Sequence, residues 1–167
     1  IHGCRRELDV LLKDLGVGAG DTVVFLGDYV DRGPDVRGVI GRLVALAADQ
    51  AVRTVFLRGN HEDMLLGYLG RPGRYGEAFL ANGGDVTLRS YGVGGTPSPA
   101  RFETALPAAH LEFLLATRLL HVEGDYLMVH GGARPDRPLD RQTAQDLVWI
   151  RDEFIARPHD LGKTVVF

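Results

Sequence analysis

Four short stretches of this 167-residue chain carry side chains that could do chemistry, and glycine sits in each of them. They read His2-Gly3, Gly27-Asp28-Tyr29-Val30-Asp31-Arg32-Gly33, Arg58-Gly59-Asn60-His61-Glu62 and His130-Gly131-Gly132. Carboxylate, carboxamide oxygen and neutral imidazole, without thiolate, suit hard or borderline divalent ions such as Mn, Fe or Zn. A single carboxylate that bridges two cations holds them about 3.5–4 Å apart. Such a pair binds phosphate oxygens, lowers the pKa of a bridging water and neutralises charge in an in-line transition state. Asp28 is the expected bridge, because it follows an apolar run directly.

The same stretches supply what phosphate-ester hydrolysis still needs. A leaving alkoxide must gain a proton, and imidazole donates one near neutral pH. His61 follows the expected ligand Asn60, so one can face the leaving oxygen while the other faces metal. Asp31 would orient that imidazole and favour its protonated form. Arg32 offers a planar fork for two phosphate oxygens.

The elements that must position these groups alternate between strand and helix patterns, which indicates an α/β domain. Leu8, Leu11, Leu12 and Leu15 recur at helical spacing, with Gly16 placed to cap the helix. Thr22–Leu26 and Thr54–Leu57 read as strands, and Asp35–Ala48 as an amphipathic helix between them. Glu62–Leu69 begins another helix, and Gly70–Pro107 is a looser stretch rich in glycine and proline. Pro107–Leu115 reads as a helix and Tyr126–Val129 as a strand. Asp140–Ala156 reads as one helix capped by Asp140, and Thr164–Phe167 opens a final strand. The Asp, Asn-His and His groups therefore stand at carboxyl ends of strands, where open α/β sheets bind ligands. His2-Gly3, directly before a helix, looks like a further ending of this kind.

Composition narrows the class. A formal net charge of −3 argues against a general nucleic-acid binder, and no apolar run approaches the roughly 20 residues needed to span a bilayer. Cys4 is the only cysteine, which excludes an internal disulfide and a zinc–thiolate cluster and suits a reducing cytoplasm. Lys13 and Lys163 are the only lysines, so an arginine by itself is a poor sign of phosphate binding here. His110, His121 and His159 read as surface or packing residues, and Cys4 as packing. Arg58 reads equally well as a support for its loop. The chain starts at Ile1 without methionine and stops at Phe167 inside an apolar run, which reads as truncation at both ends.

In this order the four motifs resemble the signature of the phosphoprotein phosphatase branch of the calcineurin-like metallophosphoesterases, of the bacterial Ser/Thr phosphatase type. The resemblance covers nearly the whole chain. It implies a single catalytic domain over residues 1–167, built as a four-layer α/β/β/α sandwich around two divalent ions, Mn first. It would place His2 and Asp28 on one ion, and Asp28, Asn60 and His130 on the other. His61 would be the general acid paired with Asp31, and Arg32 would bind phosphate. Trp149-Ile150-Arg151 is similar to a family element that supplies a second phosphate-binding arginine, here Arg151. The family's Asp two residues before His2, and its Gly-His after the last strand, fall outside the chain. The polypeptide as written is therefore expected to bind metal poorly and turn over slowly.

What the resemblance implies is hydrolysis of phosphoserine or phosphothreonine on proteins. The alternative is a symmetrical diadenosine tetraphosphatase, a branch that typically replaces the Asp of Asp-Arg-Gly and reads Gly-Asn-His-Asp. Asp31 and Glu62 point to the protein-phosphatase side. A non-catalytic phosphate-binding domain is the alternative of another class, and it has no need of His61 or Asp31.

Overall fold

Apolar, β-branched runs form the strands and helical-period segments form the helices in the computed structural model, which describes residues 1–156 and 160–167. The order is α1 (Arg5–Asp14), β1 (Thr22–Phe25), α2 (Val36–Ala48), β2 (Arg53–Phe56), α3 (Asn60–Tyr68), α4 (Gly84–Ser90), α5 (Pro99–Ala105) and α6 (Ala108–Ala116). β3 (Leu120–Glu123), β4 (Tyr126–Val129), α7 (Ala144–Trp149), α8 (Asp152–Ile155) and β5 (Thr164–Val166) follow. His159 lies outside the described residues.

β1 and β2 pair in parallel, Thr22 opposite Arg53 and Phe25 opposite Phe56, with α2 as the crossover between them. β4 pairs antiparallel with β3 and parallel with β5. A parallel bridge between Leu57 and Arg118 joins the end of β2 to the segment entering β3. Arg118 donates to Phe56 O at 2.9 Å, and Arg58 donates back to Arg118 O at 2.7 Å.

Two apolar clusters hold these elements. The larger gathers Val36, Val39, Ile40 and Leu43 of α2 with Met64, Leu65 and Leu66 of α3 and Phe113 and Leu114 of α6. Phe25 stacks on Phe56 with centroids 5.0 Å apart, and Phe113 closes on both Phe56 and Tyr29. The smaller joins Leu127 and Val129 of β4 to Leu147 and Val148 of α7. Layered domains need this arrangement, since each sheet or helix face must find an apolar partner.

The structure departs from the sequence reading in four places. Asp140–Ala156 is not one helix. Thr143 caps α7 in a box with Asp146, Ile150 is extended, and α8 starts anew at Asp152. Thr143 accepts from Asp146 N at 3.3 Å and Asp146 accepts from Thr143 N at 2.8 Å. That reciprocal cap outcompetes Asp140, which lies in a 3-10 turn, Leu139–Arg141. The stretch from Gly70 to Pro107 contains α4 and α5. β3 was not foreseen. Only Leu8 of the leucines on α1 is fully buried, while Leu11 and Leu15 remain exposed.

Candidate metal centre and its supports

Glu62 shows how local sequence becomes site geometry. It lies in the first turn of α3 and is fully buried. Its Oε1 accepts from the backbone N–H of Tyr29 at 2.7 Å and Val30 at 3.1 Å. Its Oε2 accepts from Asp28 at 2.8 Å and Gly59 at 2.9 Å. One carboxylate thus satisfies four N–H groups of the loops after β1 and β2. Burial pushes its pKa up, and the nearby Asp28 charge adds to that push. Tyr29 anchors the same loop in the core, its hydroxyl donating to Leu57 O at 2.7 Å.

The loops meet at glycine. Gly27 has φ 103°, and a Cβ there would lie 2.5 Å from Gly59 N, so no side chain fits between them. Asp28 follows at once and is delivered to the mouth of the sheet.

His2, Asp28, Asn60 and His130 converge there. His2 Nε2 lies 3.2 Å from Asp28 Oδ2, while His130 Nε2 lies 3.5 Å from Asp28 Oδ1 and 3.1 Å from Asn60 Oδ1. Each of these imidazoles donates its Nδ1–H to a backbone carbonyl, His2 to Val30 at 2.8 Å and His130 to Leu26 at 2.8 Å. Those bonds hold both rings with Nε2 toward Asp28, the orientation in which a bound cation would take the Nε2 lone pairs, as outer-shell bonds do for metal-bound histidines. Ligand atoms of His2, Asp28 and His61 lie within 4.8 Å of one another. The donor set fits divalent cations. Although burial opposes it, the hydrogen bond from His2 and the charges of His130, His61 and His2 hold the Asp28 carboxyl down to about 2.

His61 is 2% exposed and Asp31 is fully buried. His61 Nδ1 donates to Asp31 Oδ2 at 2.6 Å, and Arg32 Nη2 donates to His61 Nε2 at 2.9 Å. Asp31 is held in turn by Thr87 of α4, whose hydroxyl donates to Oδ1 at 2.6 Å and accepts from Asp31 N at 2.9 Å. Asn60 sits in the first turn of α3, with Gly59 as the flanking cap residue, so Asn60 does not serve as the N-cap.

The backbone carries strain at this point. Among the described residues, non-glycine positive φ occurs at His2, Asp28, Asp31, Arg32 and Tyr75, and four of these five belong to the cluster. Each such residue costs about 1–3 kcal/mol and persists where its surroundings over-determine it.

Seven of the eight sequence-selected residues thus come together. Arg151 stands apart. It is exposed, at the break before α8 rather than inside a helix, and hydrogen-bonds to no member of the cluster among the described residues. Arg58 supports its loop, donating to Thr117 Oγ1 at 3.1 Å and to the carbonyls of Pro72 and Leu115. His110 bonds Tyr91 at 2.8 Å and His121 pairs with Glu123 at 3.0 Å, both away from the cluster. Thr87 was missed, because one threonine 56 residues from Asp31 leaves no local pattern. The role of Glu62 had a signal in its place two residues after Asn60, but only the fold shows its four partners.

With this geometry established, comparison with known proteins places the chain. The sequence profile of the calcineurin-like phosphoesterase family matches residues 1–166. A symmetrical bis(5'-nucleosyl)-tetraphosphatase from Nitrosospira multiformis is 31% identical over 143 residues, 84% of this chain and 44% of that protein. A crystal structure described as a "putative diadenosine tetraphosphatase" aligns with TM-score 0.60 and 26% identity, covering 89% of this chain and 54% of that one. A protein serine/threonine phosphatase from Saccharomyces cerevisiae aligns with TM-score 0.53 and 23% identity over 95% of this chain and 43% of its own, a likeness of fold alone. The chain spans about half the length of these relatives. No helix among the described residues is long and apolar enough to cross a membrane. With the family profile spanning residues 1–166, the chain belongs to the calcineurin-like phosphoesterase family.

Proposed function

We propose that the full-length protein hydrolyses a dinucleoside polyphosphate of the diadenosine tetraphosphate type. The observation that carries this is the 31% identity, across 84% of the chain, to a symmetrical bis(5'-nucleosyl)-tetraphosphatase. His2, Asp28, Asn60 and His130 are the residues that would hold two divalent ions, Mn first and Fe or Zn otherwise. Bound there, such ions supply Lewis-acid polarisation of phosphate and acidify water. Asp28, whose two oxygens face His2 and His130, would be the carboxylate shared by such ions. Arg32 is exposed, and its guanidinium has donors beyond the bond to His61, which suit phosphate oxygens. Arg151 is assigned as a second phosphate contact on its place two residues after Trp149.

A second reading rests on a separate observation, the buried Asp31–His61 pair at 2.6 Å. A polyphosphate leaving group is a weak base and departs without a proton, since phosphate's own second pKa is about 6. A serine or threonine alkoxide needs one. His61, held by Asp31 and released from Arg32 when that side chain turns to phosphate, is placed to donate it. Hydrolysis of phosphoserine or phosphothreonine is therefore the reading that uses every group present. A non-catalytic phosphate-binding domain would use neither His61 nor Asp31.

Turnover of diadenosine tetraphosphate and of a phosphopeptide by the full-length protein decides between them. The first reading requires kcat/KM to favour the dinucleotide. A preference for the phosphopeptide would replace it with the second, and activity on neither would end both.

A further inference from the structure

Tyr75 is the one strained non-glycine residue, among those described, that the phosphate chemistry does not use. It has φ 54° and is 44% exposed. A bulky side chain in the left-handed region is a true outlier, so something must hold it. The loop before it is clamped onto α3. Arg71 N donates to Leu66 O at 2.9 Å, and a Cβ on Gly76 would lie 2.3 Å from Gly67 C. The tyrosine ring then meets Trp149 edge-on at 4.6 Å, and its hydroxyl donates to Gln145 Oε1 at 3.3 Å.

Trp149 is tied to the candidate centre from two sides. Its indole N–H donates to Asp63 Oδ2 at 2.8 Å, and buried Asp63 lies one turn along α3 from Asn60. Gly131, next to His130, donates to Leu147 O at 2.8 Å and so pins α7. Asp63 lies three residues from Asn60, about 4.5 Å along the helix axis.

A cavity of about 360 Å³ opens beside Trp149, lined also by Arg134, Gln145, Ile150 and Arg151. That size suits a small ligand. Of the acidic groups at its wall, Asp146 pairs with Arg137 and Glu153 with Arg134, while Asp152 makes no ion pair among the described residues. Arg151 makes no ion pair among the described residues either, so the wall beside Trp149 also carries a cation.

We propose that Tyr75 and Trp149 form a stacking platform for one nucleobase of a nucleotide substrate, with Arg151 beside it facing the phosphate chain. The proposal rests on the dinucleotide reading and names the residues that select the nucleoside. Bases of any kind stack on aromatic rings, and arginine adds a cation–π contribution. The platform is held before ligand arrives, so little ordering cost opposes binding.

Calorimetric binding of ADP and of pyrophosphate to the full-length protein, with Mn present, isolates the nucleoside contribution. ADP is expected to bind about tenfold more tightly than pyrophosphate, within the range that stacking provides. Tyr75→Asn, which tolerates the left-handed backbone, should close that gap, and Tyr75→Phe should keep it. Equal affinities in the unaltered protein, or a gap that survives Tyr75→Asn, overturns the platform. Turnover of diadenosine tetraphosphate by the unaltered protein is scored separately. Its absence removes the activity reading, while the ADP gap and its response to Tyr75→Asn still decide the platform.

Discussion

Glu62 Oε2 accepts the backbone N–H of Asp28 at 2.8 Å, so a buried carboxylate sets the position of the residue expected to bridge two cations. The same carboxylate binds Tyr29, Val30 and Gly59, so two loops that are far apart in sequence share one anchor.

Glu62→Gln is nearly isosteric, yet it replaces one acceptor oxygen by a donor NH2 that faces two N–H groups. Each buried donor left unpaired costs about 1–3 kcal/mol. The expected loss is on the order of 2–6 kcal/mol, and thermal unfolding should move down by roughly 5–20 °C. Mn stoichiometry should fall with it. A melting curve that overlays the unaltered protein's would remove Glu62 as the anchor.

His61→Asn separates the two functional readings by leaving group. With an alkyl phosphate or phosphopeptide, activity should drop by roughly 10²–10⁴-fold, the range for positioned acid catalysis. With a substrate whose leaving group is a weak base, the drop should be much smaller. Plotting kcat/KM against leaving-group pKa should give a steeper slope for the variant. Identical slopes would show that His61 donates no proton in the transition state.

Thr87 acts through Asp31, so its loss should show in His61's behaviour. Thr87→Val keeps the shape but removes the hydroxyl that donates to Asp31 Oδ1 at 2.6 Å and accepts its N–H. A cost of about 1–3 kcal/mol, realised in the transition state, is roughly 5- to 150-fold in rate. The pH–rate profile should shift, and Thr87→Ser should restore both rate and profile. A purely structural threonine would lower stability while leaving the profile where it was.

Asp146 provides a pH test away from the candidate metal centre. Despite a contrary effect of burial, its bonds to Thr143 and the charge of Arg137 lower its pKa below 3.8. The sign follows from the depressed folded value. The carboxylate contributes stability above pH 3.8, and that contribution is lost as pH falls through its lower folded pKa. Asp146→Ala should remove this acid-sensitive part and destabilise α7 by about 0.5–2 kcal/mol, the usual cost of a lost cap. Unfolding midpoints at pH 7 and pH 3 check it, and the difference between variant and parent should narrow at the lower pH.

Chelation tests the cluster as a metal centre. Removing divalent ions from the full-length protein should abolish turnover, and Mn should restore it. Asp28→Ala should prevent the restoration. Full activity in chelator would exclude a metal role for His2, Asp28, Asn60 and His130.

Much of this molecule was legible along the chain. The strands bearing Asp28 and Asn60-His61 could be read because short-range patterns suffice there, an apolar β-branched run ending in glycine and polar groups. The same holds for α2, where Asp35 accepts from Gly38 N at 2.8 Å as its helix pattern leads one to expect. Residue types and order determined the chemistry available, namely imidazole, carboxylate and carboxamide at the carboxyl ends of strands, which the structure divides between two sheets. Tertiary structure decided the rest, because those effects depend on groups distant in sequence. Only packing brings Thr87 under Asp31 across 56 residues, lets Glu62 reach four N–H groups in two loops, and splits the expected last helix at Ile150. Tyr75 beside Trp149 belongs with these. A lone aromatic in a glycine-rich loop has no pattern of its own, and its meaning comes from the indole it touches.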